Sequence, residues 1–150
     1  MTLTDQELTF DDGVFVFETV MRVRNTEIDV GQYLTLESLI TLLAEARARF
    51  LYSKGINEIN SEYQGLIVND LQLNVISRVR AREALLFEVG IEQIAEKSGK
   101  MAIKVTRMYD GSLVAKARKG FIQYDYRSNK AISFNSDVKK ALDQSDFDYD

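Results

Sequence analysis

The sequence predicts a single α+β domain in which one long helix lies in the hollow of an antiparallel β-sheet. Three observations carry this. Apolar residues recur at 3–4 residue spacing in one segment only, Thr35 to Lys54. The other long apolar runs alternate with period 2, as half-buried strands do. The later runs are joined by short turn signals, so neighbouring strands must run antiparallel. A helix and a sheet each need a cover for their apolar face, and covering each other makes the sheet curl around the helix.

The elements follow in order. Val14 to Arg24 alternates, with Phe15, Phe17, Thr19, Met21 and Val23 on one side, and predicts the first strand. Asn25 to Tyr33 is a loop. Thr35 to Lys54 is the helix, its stripe formed by Leu36, Leu39, Ile40, Leu43, Ala46 and Phe50 and widened by Leu42, Ala44, Ala48 and Leu51. Thr35 serves as N-cap, Leu34 and Leu39 form a hydrophobic staple, and Gly55 supplies the C-terminal stop. Strand signals then come at Leu66–Val68, Leu71–Val79, Leu85–Ile94, Met101–Tyr109 and Leu113–Tyr126. Lys97-Ser98-Gly99-Lys100 and Asp110-Gly111 are the turns, which makes the last three strands a meander of a roughly five-stranded sheet. Ser136–Gln144 is a short terminal helix, and the acidic end is a frayed tail. Residues 1–150 are one domain with its core over roughly 14–135.

Composition excludes whole chemistries. The 150 residues contain no Cys, His, Pro or Trp. There is therefore no disulfide framework, thiolate nucleophile or imidazole base, and acid–base work falls to Asp, Glu, Lys or Tyr. A net charge of −4 argues against nucleic-acid binding. Three basic clusters stand out nonetheless: Arg78, Arg80 and Arg82; Lys97, Lys100 and Lys104; Lys116, Arg118 and Lys119. Each is read either as a solvated sheet face or as a local site for a phosphorylated small ligand. The first residues lack a basic stretch ahead of an apolar one, and no segment approaches ~18 consecutive apolar residues. The expected setting is cytoplasmic, away from the membrane.

The chemically informative stretch is Arg22-Val23-Arg24-Asn25-Thr26-Glu27-Ile28-Asp29, the loop Val30-Gly31-Gln32-Tyr33-Leu34-Thr35, and the helix reaching Glu45-Ala46-Arg47. It resembles the hotdog-fold acyl-CoA thioesterases, in the subgroup typified by 4-hydroxybenzoyl-CoA thioesterase. There a strand ends in R-x-x-x-x-D, a D-x-x-G-H-V-N loop follows, and the central helix bears E-A-R. Ser77 to Leu85 is similar to the family's P-A-R-Y-G-D-x-L turn, and Asp110 to Ala115 to its last hairpin. The resemblance covers roughly residues 14–135. Here the glycine is displaced by one position, Tyr33 stands in place of His, Thr35 in place of Asn, and the proline is missing.

The resemblance implies a hotdog protomer assembling as a homodimer or a homotetramer, with sites between subunits. It also implies an acyl thioester of coenzyme A or of an acyl carrier as substrate. Coenzyme A enters as part of that substrate; no other cofactor and no metal is expected. Asp29 is implied as base or nucleophile, and a backbone N–H at the helix start, that of Leu36, as the oxyanion donor. A helix N-terminus has unpaired N–H groups and a partial positive charge suited to that task. The other reading of Asp29 is a loop residue that satisfies nearby backbone N–H groups. Glu45 is the alternative carboxylate, or else the partner of Arg49 in a helix-surface ion pair. Asn69 is a polar group for the thioester or a strand-end cap.

For the coenzyme A phosphates the candidates are Arg80, Arg78, Lys97 and Lys100. Tyr33, Phe50 and Tyr52 are candidates for an acyl pocket or, equally, for core, and Thr35 joins Tyr33 at the substrate. Two further readings stand beside hydrolysis: a non-catalytic acyl-CoA or acyl-carrier-protein binding module, which the altered loop motivates, and a dehydratase or hydratase, which the absence of His disfavours.

Overall fold

The computed structural model describes residues 2–3, 7–57 and 59–144. Its elements are β1 (Thr2–Leu3), β2 (Phe17–Arg22), α1 (Leu36–Ser53), β3 (Gln64–Val75), β4 (Ala84–Ile94), β5 (Gly99–Arg107), β6 (Leu113–Asp125), β7 (Lys130–Ile132) and α2 (Ser136–Leu142). The sheet runs β1-β3-β6-β5-β4-β2, with β7 added to β6. All pairings are antiparallel except that of β1 with β3. The expected meander is β4-β5-β6. The short β1 and β7 raise the sheet above the expected five strands.

α1 forms where the period of 3–4 placed it. Thr35 Oγ1 accepts from the Ser38 N–H at 3.1 Å, closing the N-terminus. At the other end the Ile56 and Gly55 N–H groups donate to Leu51 O and Tyr52 O, with Gly55 at φ +74°. That is the left-handed stop which glycine adopts without a Cβ clash. Leu39, Leu43, Ala46 and Phe50 point into the concave face of the sheet, in one cluster with Phe87, Val89, Ile103, Val105 and Ala115. Burying side chains of this size stabilises by roughly 1.5–3 kcal/mol each. Phe50 is core, packed edge-on against Phe17 at 5.7 Å, whereas Tyr52 is 84% exposed on the outer face of the helix.

Some boundaries differ from the sequence expectation. Val14 closes a 3₁₀ turn over Asp12–Val14, and the ladder begins only at Phe17. The runs 66–68 and 71–79 belong to one strand whose alternation is broken by a bulge between Val68 and Asp70, with Asn69 as the extra residue. Beyond Val75 the Ile76 and Ser77 N–H groups both donate to Val114 O, which ends the strand. α2 stops at Leu142, and the tail from residue 145 lies outside the described residues. No helix among the described residues is long and apolar enough to cross a membrane.

Alternation along β6 splits the third basic cluster. Lys116 and Arg118 face outward, where they pair with Glu7 at 2.8 Å and Glu92 at 2.6 Å. Lys119 faces the helix with Ala117 and Phe121 and is only 4% exposed. A solvated face is therefore wrong for Lys119.

Candidate active site

The loop between β2 and α1 is built around Asp29. Its carboxylate Oδ1 accepts the Gly31 N–H at 2.9 Å and the Tyr33 N–H at 3.1 Å. Its own N–H donates to Tyr33 O at 2.9 Å, and its carbonyl accepts from the Gln32 N–H at 3.0 Å. Side chain and backbone together close a tight turn of the kind Asp favours. Gln32 sits at φ +71°. That is the position where the family's loop pattern has its glycine, so here a non-glycine residue carries the left-handed conformation while Gly31 stands one place early.

A clamp holds the base of the loop. Glu27 is buried at 6% exposure. It accepts the Arg24 N–H at 2.7 Å and the Arg24 guanidinium at 3.0 Å, and its carbonyl accepts from the Thr35 N–H at 3.0 Å. Burial works against the Glu27 carboxylate, but the hydrogen bonds and charge of Arg24 outweigh it and hold the pKa below the ordinary value. With only Leu34 and Thr35 between Tyr33 and the helix, the Asp29 turn is delivered to the start of α1. The Thr35 hydroxyl caps Ser38, and the Thr35 carbonyl accepts from the Leu39 N–H. The N–H groups of Leu36 and Glu37 remain in the first turn, where no carbonyl within the helix can take them. Asp29 borders an open cavity of about 790 Å³ together with Asn25, Gln32 and Arg82.

The turn before β4 faces the same loop. Leu34 N–H donates to Val79 O, and Ala81 N–H to Gln32 O. Tyr33 forms a backbone bridge with Arg80, and its ring lies 4.9 Å from the Arg78 guanidinium and 5.0 Å from that of Arg80. Arg80 also donates to the Tyr33 hydroxyl at 3.2 Å. Tyr33 is thus stacked with two cations rather than lining an apolar pocket. Arg107 fixes this turn from β5, donating to Glu83 and Ser77 at 3.1 Å each and to the Arg78 carbonyl. Glu83 in turn accepts the Arg80 N–H at 2.6 Å.

The structure therefore brings together Asp29, Tyr33, Thr35, Leu36, Arg78 and Arg80. It does not bring Lys97 and Lys100 to them. Those two sit in and after the β4–β5 turn, at the opposite end of β4 from Arg80. Ten strand steps of ~3.3 Å put roughly 33 Å between the two ends. Asn69 stands in the β3 bulge beside Gly120, on another part of the sheet. Glu45 pairs with Arg49 at 3.1 Å and is half exposed.

Glu27 and Arg107 were not singled out from sequence. The signal for Glu27 was there in Arg24 and Glu27 three residues apart before a helix; Arg107 gave none. No group of acidic side chains among the described residues could hold a metal ion.

Residues 23–142 match the model of the thioesterase-like superfamily, which spans the Asp29 loop, the helix and the whole meander. The chain belongs to the thioesterase-like superfamily. The long-chain acyl-CoA thioesterase FadM of Escherichia coli (strain K12) is 23% identical over 128 residues, 85% of this chain and 97% of that protein. A 1,4-dihydroxy-2-naphthoyl-CoA thioesterase from Synechocystis superposes with a TM-score of 0.78 at 14% identity, covering 84% of this chain and 94% of that one. A Staphylococcus aureus protein solved in complex with CoA gives 0.80 at 14% identity, over 86% and 82%. Such likenesses establish the hotdog fold of this family member.

Proposed function

We propose that this protein hydrolyses acyl-CoA thioesters, with Asp29 as the reacting carboxylate and the Leu36 N–H as the oxyanion donor. The observation that carries the reading is the Asp29 turn, which sets a carboxylate at the mouth of a cavity just ahead of a helix N-terminus. Oδ1 is occupied by the loop, which fixes the carboxyl group and leaves Oδ2 for chemistry.

As base, Oδ2 takes a proton from water while the water oxygen adds to the thioester carbonyl carbon. The oxyanion is held at the helix start, the C–S bond then breaks, and the departing sulfur takes up the proton. As nucleophile, Asp29 displaces the thiolate to form an anhydride that water hydrolyses. Single turnover in heavy-oxygen water separates the two, since only the second route labels Asp29. Arg80 and Arg78, stacked on Tyr33, are the cations offered to the coenzyme A phosphates. Lys97 and Lys100 can serve the same site only from a second copy of the chain.

Pairing into a homodimer, or a tetramer of two such pairs, belongs to this reading. The openness of the cavity in one protomer supports it, since a second copy would cover it. The proposed setting is the cytoplasm, where thiols stay reduced and a chain without Cys loses nothing. The enzyme needs no cofactor of its own, and an acyl-carrier thioester is the variant substrate.

A second reading has its own observation. The Asp29 Oδ1 contacts are those of a structural turn, which fits a binding module that holds acyl-CoA without hydrolysing it. Thiol release from short, long and aromatic acyl-CoAs, with Asp29→Asn as control, decides. Asparagine keeps the Oδ1 acceptor and so preserves the turn. Hydrolysis is expected, with a loss of about 10²–10⁴-fold in the variant. Binding without turnover of any acyl-CoA establishes the module instead. Turnover indifferent to Asp29→Asn moves the role to Glu45.

A further inference from the structure

A cavity of about 260 Å³ opens where the C-terminal end of α1 meets the start of β3 and the first turn of α2. The 18 residues of α1, at ~1.5 Å each, put it roughly 27 Å from the Asp29 end of the helix. Four side-chain amides border it: Asn60, Gln64, Gln123 and Asn135. Ile56, Leu66, Val138 and Ala141 supply an apolar wall.

Backbone groups orient the amides. Asn60 Oδ1 accepts the Glu62 and Gln64 N–H groups at 2.9 and 3.0 Å, which leaves its Nδ2 to donate to Gln64 Oε1 at 3.4 Å. Gln64 Oε1 also accepts from Asn135 Nδ2 at 3.4 Å. Gln123 Oε1 accepts the Asn135 N–H at 2.7 Å. The amide oxygens of Gln64 and Gln123 are thereby spent, while neither Nε2 has an acceptor among the described residues. Gln123 is only 2% exposed. An amide nitrogen in that position costs stability unless something in the cavity accepts from it. Water meets the need in an otherwise empty cavity, and a ligand that displaces the water must bring an acceptor.

Charge narrows what can enter. The C-terminal end of α1 carries partial negative charge and Asp137 borders the cavity, so an anion is disfavoured. Two unspent N–H donors disfavour a cation. Lys54 also borders the cavity, but its ammonium lies over the Phe50 ring, 5.8 Å from the centroid. We infer that this cavity binds a small uncharged molecule through carbonyl oxygens that accept from Gln64 Nε2 and Gln123 Nε2, with its apolar side on the Ile56 and Leu66 wall. The volume lies below the range of drug-sized ligands and suits a single small ring. The site is read by binding alone and holds whether or not the protein hydrolyses thioesters.

The test is a titration of the isotope-labelled full-length protein at pH 7, followed through the side-chain amide signals in nitrogen–proton NMR. Succinimide is uncharged and carries two carbonyls, succinate replaces them by carboxylates, and glycerol offers hydroxyls only. Succinimide should shift the Gln64 and Gln123 side-chain signals saturably, with a Kd on the order of millimolar, and the other two should not. Gln64→Glu and Gln123→Glu each keep the accepting oxygen and remove the donor. The signal lost in each variant identifies its residue, and each should weaken succinimide about 3–10-fold, as for one hydrogen bond. Ala141→Leu narrows the cavity from its apolar wall, leaves all four amides in place and should abolish binding; it decides the matter if Gln123→Glu does not fold. The inference is overturned if succinimide gives no saturable response, since water alone then fills the cavity. It is equally overturned if succinate or glycerol binds as tightly, or if Ala141→Leu binds succinimide like the parent.

Discussion

Replacing Lys119 by Met should stabilise the unliganded protein near neutral pH, and the gain should fade in alkali. Burial, reinforced by the charge of Arg47, pushes the Lys119 ammonium down to about 8 from the ordinary 10.5. At ~1.4 kcal/mol for each factor of ten, that gap corresponds to about 3 kcal/mol of penalty on the charged form. The sign follows from proton counts. Between about 8 and 10.5 the unfolded chain holds a proton on this lysine that the folded chain has released, so the fold gains stability as pH rises through that window. Below about 8 both states are protonated and the whole penalty is felt; above 10.5 it has vanished. Met keeps the apolar stem of the lysine and drops the charge. Urea unfolding at pH 7 should therefore find Lys119→Met more stable by about 1–3 kcal/mol, with the difference shrinking steadily towards pH 10. Comparing variant with parent at each pH cancels the other titrating groups. A less stable variant, or a difference that does not change with pH, would refute the reasoning that Lys119 is an unpaired buried cation.

Glu27→Gln should destabilise by about 1–3 kcal/mol above pH 5. The parent should lose that advantage as pH falls below the ordinary carboxylate value of 4.5, because the folded pKa of Glu27 is depressed; acid unfolding curves of the two proteins test this. Gly90→Ala should cost about 3 kcal/mol or more in urea unfolding, since a Cβ there would meet the Val14 carbonyl oxygen at 1.7 Å. Arg80→Met should raise KM for an acyl-CoA about tenfold while leaving kcat within about twofold, and should flatten the dependence of KM on salt. Tyr33→Phe, which keeps the ring under both guanidinium groups and removes only the 3.2 Å contact, should cost less than Arg80→Met.

The elements legible in the sequence were those with a long period and a local stop. α1 had both, and its cap at Thr35 and its end at Gly55 came out where local chemistry required them. The meander was legible for the same reason. The β3 bulge was not, because one extra residue at Asn69 shifts the alternation and makes one strand read as two. In the candidate site, the Asp29 loop and the Arg78–Arg80 turn are far apart in sequence, and only the pairing of Tyr33 with Arg80 joins them. Lys97 and Lys100 were grouped with Arg80 by charge, a property that carries no information about which end of a strand a residue occupies.

Lys119 is the instructive miss. Grouped with Lys116 and Arg118 it reads as part of a basic surface, yet strand alternation assigns opposite faces to Arg118 and Lys119. Followed through β6, period 2 puts Ala115, Ala117, Lys119, Phe121 and Gln123 on the inner face, and four of those five are residues a core accepts easily or with one hydrogen bond. The lysine is the exception, and an exception on an otherwise inward row is a stronger functional signal than three charges close together in sequence. A buried cation is paired, neutralised or carried at a cost in stability. Lys119 has no acidic partner among the described residues, and the charge of Arg47 works against its own. Its pKa of about 8 leaves it mostly charged at pH 7. The fold therefore carries the cost of that charge at neutral pH, and Lys119→Met reads it out.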